Sequence, residues 1–180
     1  MSFQVPNGVV DILVEDEAEA VRVAKQYLSY FQGSTDSWEA PDQRKLRHIV
    51  PENRLRLYDM REIIATLADK DSVLEIRAGF GVGVITCFIR VEGRPMGVIA
   101  NNPHHLAGAI DSDAADKGTR FIQLCDAFDI PILSLMDCPG MMVGPDVEAT
   151  ALVRHCVRMF NAGANSVSYT HLTLPTSPKV

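Results

Sequence analysis

The chain has 180 residues, 47% of them hydrophobic and 22% charged, a balance that suits one folded domain with a sizeable core and excludes wholesale disorder. The formal net charge of −6 comes without a basic stripe, which excludes non-specific binding to nucleic acid through phosphates. No apolar run reaches the roughly 18 residues of a membrane helix, and MSFQVPNGVVDILVEDE does not read as a secretion signal.

In chain order, residues 1–14 read as extended, with apolar runs at Val9-Val10 and Ile12–Val14 after Gly8. Asp16 followed by Glu19 is a capping-box-like start, and Val21, Ala24, Leu28 and Phe31 recur at helical spacing, so a helix is predicted over 17–31 with Gly33 beyond its end. The polar stretch QGSTDSWEAPDQ reads as a linker. A basic segment follows, with six Lys and Arg residues between Arg44 and Arg61 against Glu52 and Asp59. It reads as a solvated surface, with a patch for an anionic ligand or a partner subunit as the alternative.

Asp59 with Glu62 caps a short predicted helix through about Leu67. The period then changes. Val73–Ile76 and Val82–Val91 are rich in β-branched residues, Glu92–Pro95 is a turn, and Met96–Ala100 is a further strand. Gly79, Gly81 and Gly83 alternate in a strand-like stretch and signal tight packing. They do not make a dinucleotide fingerprint, since residue 84 is Val. A helix is predicted over 114–129, with Asp111, Asp113 and Asp116 at its start pairing locally with Lys117 and Arg120. Ile130–Met136 is a buried strand, and a second helix is predicted over 146–161. Strand, crossover helix and buried strand are the pattern of a parallel α/β architecture.

A crossover helix must return to its sheet, yet residues 167–180 are Ser-, Thr- and Pro-rich, and VSYTHLTLPT looks like the conceptual translation of a sequencing adapter. They are read as non-native and kept out of the fold.

Three stretches can carry chemistry. Leu135–Pro145 joins a buried strand to a helix, where open α/β sheets gather ligands, and Gly140 and Gly144 permit tight turns whose backbone N–H groups can hold an oxyanion. The bland alternative is a loop that needs glycine for its geometry alone. Asn101, Asn102, His104 and His105 follow another strand. The adjacent imidazoles are poorly spaced to share a metal, so loop-capping amides are the plainer reading. Cys138 lies beside Pro-Gly, but a nucleophilic thiol needs an activating base, and His155 stands at no diagnostic spacing. The other cysteines, Cys87, Cys125 and Cys156, form no CxxC pair with it and read as reduced thiols.

Taken together, RLRLYDMREIIATLAD, RVEGRPMGVIANNPHHLAGAIDSDAADKGTRFIQLCDAFDIPILSLMDCPGMMVGPDVE and ALVRH resemble the carboxyltransferase (β) component of biotin-dependent acyl-CoA carboxylases, of the acetyl- and propionyl-CoA carboxylase type, over residues 5–166. The resemblance implies a crotonase-like α/β spiral of ββα units, here incomplete. Residues 1–43 would be an inter-domain segment and 44–166 the front of the C-terminal domain. It further implies transfer of a carboxyl group from carboxybiotin to the α carbon of an acyl-CoA, with backbone oxyanion holes and no metal. By matching motif, Asn102, Pro139, Gly140 and Gly144 would stand beside the biotin pocket, with the principal oxyanion donors outside this chain and the fragment inactive alone. A cytoplasmic homo-oligomeric ring of the hexamer type, served by biotin carboxylase and biotin carrier components, is implied as well. The alternatives are a crotonase-fold hydratase, isomerase or hydrolase, which lacks the VEGRPMGVIANNP-like hairpin, and a non-catalytic assembly module.

Overall fold

A computed structural model describes residues 2–53, 56–166 and 169–173, the last five by their backbone alone. Helices α1 (Glu17–Ser29), α2 (Leu46–Ile49) and α3 (Met60–Leu67) precede strands β1 (Leu74–Ile76), β2 (Val84–Val91) and β3 (Arg94–Asn101). Helix α4 (Ser112–Ala127), strand β4 (Ile132–Met136), helices α5 (Pro145–Glu148) and α6 (Leu152–Asn165) and strand β5 (Tyr169–Thr173) follow. The sheet has the order β1-β2-β3-β4-β5. The first three strands pair antiparallel and the last three parallel. This is the expected α/β class, a β-hairpin followed by a helix and a parallel strand.

Local chemistry explains most boundaries. Asp16 accepts from the Glu19 amide at 2.7 Å while the Glu19 carboxylate accepts from the Glu15 amide at 2.9 Å, so α1 begins as the sequence predicts. Asp59 and Asp111 cap α3 and α4 through the amides of Arg61 and Ala114. Val91 pairs with Arg94, so the β2–β3 turn is the two residues Glu92 and Gly93, with φ of 51° and 75°, the left-handed pair that matches strand twist.

The core has two sides. Val84 and Phe88 on one face of β2 meet α4, α6 and α1, whereas Ile85, Cys87 and Ile89 on the other face meet α3. Phe88 is the hub of the first side, its ring 5.3 Å from Tyr30, 5.8 Å from Tyr27, 5.5 Å from Phe31 and 5.2 Å from Phe121.

Several expectations are corrected. Residues 1–14 are not extended throughout: the Asn7, Gly8 and Val9 amides donate back to Phe3, Val5 and Gln4, a turn shaped by Pro6 and the positive φ of Gly8, with no sheet edge to hold the segment straight. The side of α1 and the turn after it that meets the core is half-buried Val23, Tyr27 and Phe31 with buried Tyr30, so Phe31 alone of the predicted stripe packs inward while Val21 and Leu28 face out, because the aromatic rings gather on Phe88. Residues 78–83 turn instead of running as strand, though the inferred tight packing holds: a Cβ on Gly81 would lie 2.6 Å from the Asp113 carbonyl oxygen. The helix predicted over 146–161 is two helices, broken at Ala151 with φ of 58°. The break lets Leu152 and Cys156 bury against the core. Asp116 does not pair with Lys117 or Arg120. It reaches α6, 2.8 Å from His155 Nδ1 and 3.6 Å from Arg158.

The exclusion of residues 167–180 from the fold fails for five of them. The backbone of Tyr169–Thr173 pairs parallel with β4 in the register Ile132↔Tyr169 to Met136↔Thr173. A crossover helix must return to its sheet, and the open edge of β4 takes the backbone that arrives after α6. Residues 167–168 and 174–180 lie outside the described residues.

Candidate functional site

Because β3 and β4 are parallel, with Ala100 opposite Leu135, their carboxyl ends finish at one edge of the sheet. Two segments meet there, Asn101–Ile110 after β3 and Asp137–Gly144 after β4. Asn101 ties them together. It is 2% exposed, its Nδ2 donates to the Gly108 carbonyl at 2.9 Å, and its Oδ1 accepts from the Asp137 amide at 3.3 Å. Ile110 adds a short parallel bridge: its amide donates to the Gly140 carbonyl at 3.1 Å and its carbonyl accepts from the Met142 amide at 3.0 Å. On the other side Tyr58 donates its hydroxyl to the Asp137 carboxylate. Burial and that carboxylate push the Tyr58 phenol up, so it stays protonated and remains the donor.

The turn after β4 is open. Gly140 and Gly144 have φ of 137° and 128°, values that favour glycine, and an added Cβ at either would meet no atom within 4 Å. The amides of Val143 and Gly144 find no acceptor among the described residues. The Gly140 amide donates only to the Cys138 sulfur, at 3.3 Å, while the thiol donates to the Gly140 carbonyl at 3.1 Å. Sulfur is a weak acceptor that an oxyanion can displace. The arrangement can therefore present main-chain donors to negative charge without moving a side chain.

Pro139, Gly140 and Gly144 lie together on this turn, the two residues of the Pro-Gly pair exposed. Asn102 is placed differently. It is 8% exposed, with Nδ2 donating to the Val82 carbonyl at 2.9 Å and Oδ1 accepting from the His104 amide at 3.2 Å. Its side chain thus shapes its own loop, and among the described residues no hydrogen bond joins it to the turn. Sequence reasoning read Asn101 only as a loop-capping amide and missed Tyr58 and Asp137, the other groups that hold the two segments in register. All three stood inside quoted motifs, but nothing local marks a bond across 36 or 79 residues.

Burial pushes the Cys138 thiol up, and His155 is engaged with Asp116, so no Cys–His pair exists there. All four cysteines are free thiols. His105 Nε2 lies 3.1 Å from Asp111, and no group of three or more potential ligands stands ready for a metal ion among the described residues. Among the same residues no helix is long and apolar enough to cross a membrane.

The model of the carboxyl transferase domain family matches residues 2–170. A solved single-chain, multi-domain long-chain acyl-CoA carboxylase superposes with a TM-score of 0.94 at 53% identity, over 96% of this chain and 18% of that one. The transcarboxylase 12S hexamer, solved with methylmalonyl-CoA and methylmalonic acid, gives a TM-score of 0.84 at 30% identity, over 94% of this chain and 35% of that one. The propionyl-CoA carboxylase beta chain of Roseobacter denitrificans is 35% identical over 165 residues, 87% of this chain and 32% of the relative. The chain spans about a third of the length of the curated relatives it matches.

Proposed function

The chain belongs to the carboxyl transferase domain family, and on that premise we propose that it is part of a carboxyltransferase that moves a carboxyl group from carboxybiotin to the α carbon of an acyl-CoA. Its α/β architecture is crotonase-like, as in its structural neighbours. The observation that carries the proposal is the open Gly140–Gly144 turn at the carboxyl ends of two parallel strands, with main-chain donors left without good acceptors.

Carboxybiotin, when bound, supplies CO2 and a ureido anion that can take the α proton of a thioester. The turn fits that group, because its open space and its amides accommodate an anionic oxygen. In this reading the amides of Gly140 and Gly144 donate to the negative charge, and Pro139 stiffens the entry to the turn. Asn102 holds the neighbouring loop, and Asn101 and Ile110 fix the height of the turn over the sheet. Preorganised amides of this kind are each worth roughly 10²–10³ in rate. No nucleophilic side chain is required, which accords with a protonated Cys138 and an engaged His155.

The wider assignment belongs to the same proposal. Residues 1–43 form an inter-domain segment and 44–166 the front of a C-terminal domain, and residues 167–180 are a non-native tail, of which Tyr169–Thr173 occupies the open edge of β4. The complete protein assembles as a homo-oligomeric ring in the cytoplasm and works with biotin carboxylase and biotin carrier components. The hexamer of the transcarboxylase relative supports the ring. The chain alone is inactive, because the acyl-CoA grip and the main oxyanion donors lie in the remainder.

A chimera tests this. Residues 2–166 replace the matching third of the Roseobacter propionyl-CoA carboxylase beta chain, and incorporation of labelled bicarbonate into acyl-CoA is followed with the biotin-bearing partner present. Activity is expected, and Gly144→Val, which forces a β-branched residue to φ of 128°, lowers kcat at least tenfold with a smaller change in KM. An assembled but inactive chimera refutes the reading.

A further inference from the structure

Lys117 stands in the buried face of α4, only 2% exposed. Among the described residues its ammonium makes no hydrogen bond and no ion pair within 4 Å, although the Arg61–Glu75 pair lies near enough to act on it through space. Burial pulls its pKa down to about 8, so at neutral pH it is mostly charged. A buried charge without a counter-ion is unfavourable, so an anion with room to reach it would be held.

That room exists. Lys117 lines a cavity of about 290 Å³ between α4, β1 and the N-terminal segment. Arg120, one turn on along the same helix, lines it too and has no ion-pair partner among the described residues. Arg77 and Asp11 complete the charged wall and neutralise each other, with Nε and Oδ1 at 2.6 Å. Two like charges at i and i+3 are thus left uncompensated on one helix face. Tyr27 also lines the cavity, and burial together with Asp11 raises its pKa, so it remains a donor.

We propose that this cavity is a binding site for one small oxyanion, a carboxylate or phosphate group held by Lys117 and Arg120, which locks the N-terminal segment carrying Asp11, and α1 through Tyr27, against α4. None of the residues lining the cavity belongs to the turn after β4, and the proposal does not depend on the carboxyltransferase reading. An oxyanion between the two cations returns the cavity from two net positive charges to one or none and satisfies donors that are otherwise idle.

The test is titration of the 180-residue chain with inorganic phosphate and, separately, with acetate, at ionic strength matched with chloride and followed by calorimetry. Saturable one-to-one binding of at least one of the two is expected, and which one binds separates the phosphate from the carboxylate class. Lys117→Met, which keeps the unbranched apolar stem without the ammonium, raises the dissociation constant at least tenfold, and Arg120→Gln raises it several-fold. Arg120 is exposed, so the second variant carries the test if the first does not fold. Protection of Lys117 from acetic anhydride by the bound ion, read by mass spectrometry, places the ion. Absence of saturable binding of either probe, or binding undiminished in a folded Lys117→Met or Arg120→Gln chain, overturns the proposal.

Discussion

Asn101→Ala is the sharpest test of how the two site segments are held. The carboxamide is buried and bonded at both ends, to the Gly108 carbonyl at 2.9 Å and to the Asp137 amide at 3.3 Å. Truncation leaves both main-chain groups without that partner. A buried group stripped of its hydrogen bond loses about 1–3 kcal/mol. Gly108 is buried and falls at the high end, whereas Asp137 is half-buried and its bond is long, so it falls at the low end. The sum is about 2–4 kcal/mol. With a urea slope of about 2 kcal/mol/M, the unfolding midpoint drops by roughly 1–2 M. Asn102→Ala is the internal comparison. It also loses two bonds, to Val82 and His104, but one closes its own surface loop, so about 1 kcal/mol is expected. Far-UV circular dichroism in urea, with the slope fitted for each variant, reads both. A midpoint shift for Asn101→Ala no larger than that for Asn102→Ala would show that the 101–108–137 tie is not what holds the edge.

Two further outcomes follow from ionisation. Lys117 has a folded pKa of about 8 against 10.5 unfolded, so between those pH values the unfolded chain binds more protons and stability rises with pH; below about 8 the full penalty of the buried charge is present. Measured in a buffer without oxyanions, the excess stability of Lys117→Met over the parent chain shrinks across this window, by at most about 1.4 kcal/mol per pH unit; an excess that does not change with pH refutes the burial argument. Of the four free thiols, Cys138 alone is partly exposed, while Cys87, Cys125 and Cys156 are buried and their pKa values raised. Ellman's reagent at neutral pH therefore modifies one thiol quickly in the native chain and four in denaturant, and a Cys138→Ser chain loses the fast phase.

Much of the fold was legible because its signals are local. A capping side chain acts on an amide two or three residues away, a two-residue hairpin needs left-handed residues at its tip, and a buried strand shows as an unbroken apolar run. Hence α1, α3, α4, the β2–β3 hairpin and β4 lie close to where periodicity and caps place them. The glycine turn at the end of β4 was legible for the same reason, since Gly140 and Gly144 mark backbone that other residues avoid.

What the tertiary structure decided is partnership. Helical spacing places Val21, Ala24, Leu28 and Phe31 on one stripe, and only Phe88, some sixty residues on, keeps Phe31 and brings in Tyr27 while Val21 and Leu28 stay out. Asp116 has cations one and four residues away and still binds His155 and Arg158 of α6, because packing turns Lys117 inward and leaves Arg120 on the cavity wall. The break at Ala151 serves the burial of Leu152 and Cys156, which no local rule anticipates. Short-range hydrogen bonds and the period of apolar residues are written in a few consecutive letters, whereas the choice among competing partners is made by contacts that exist only once the chain has closed on itself.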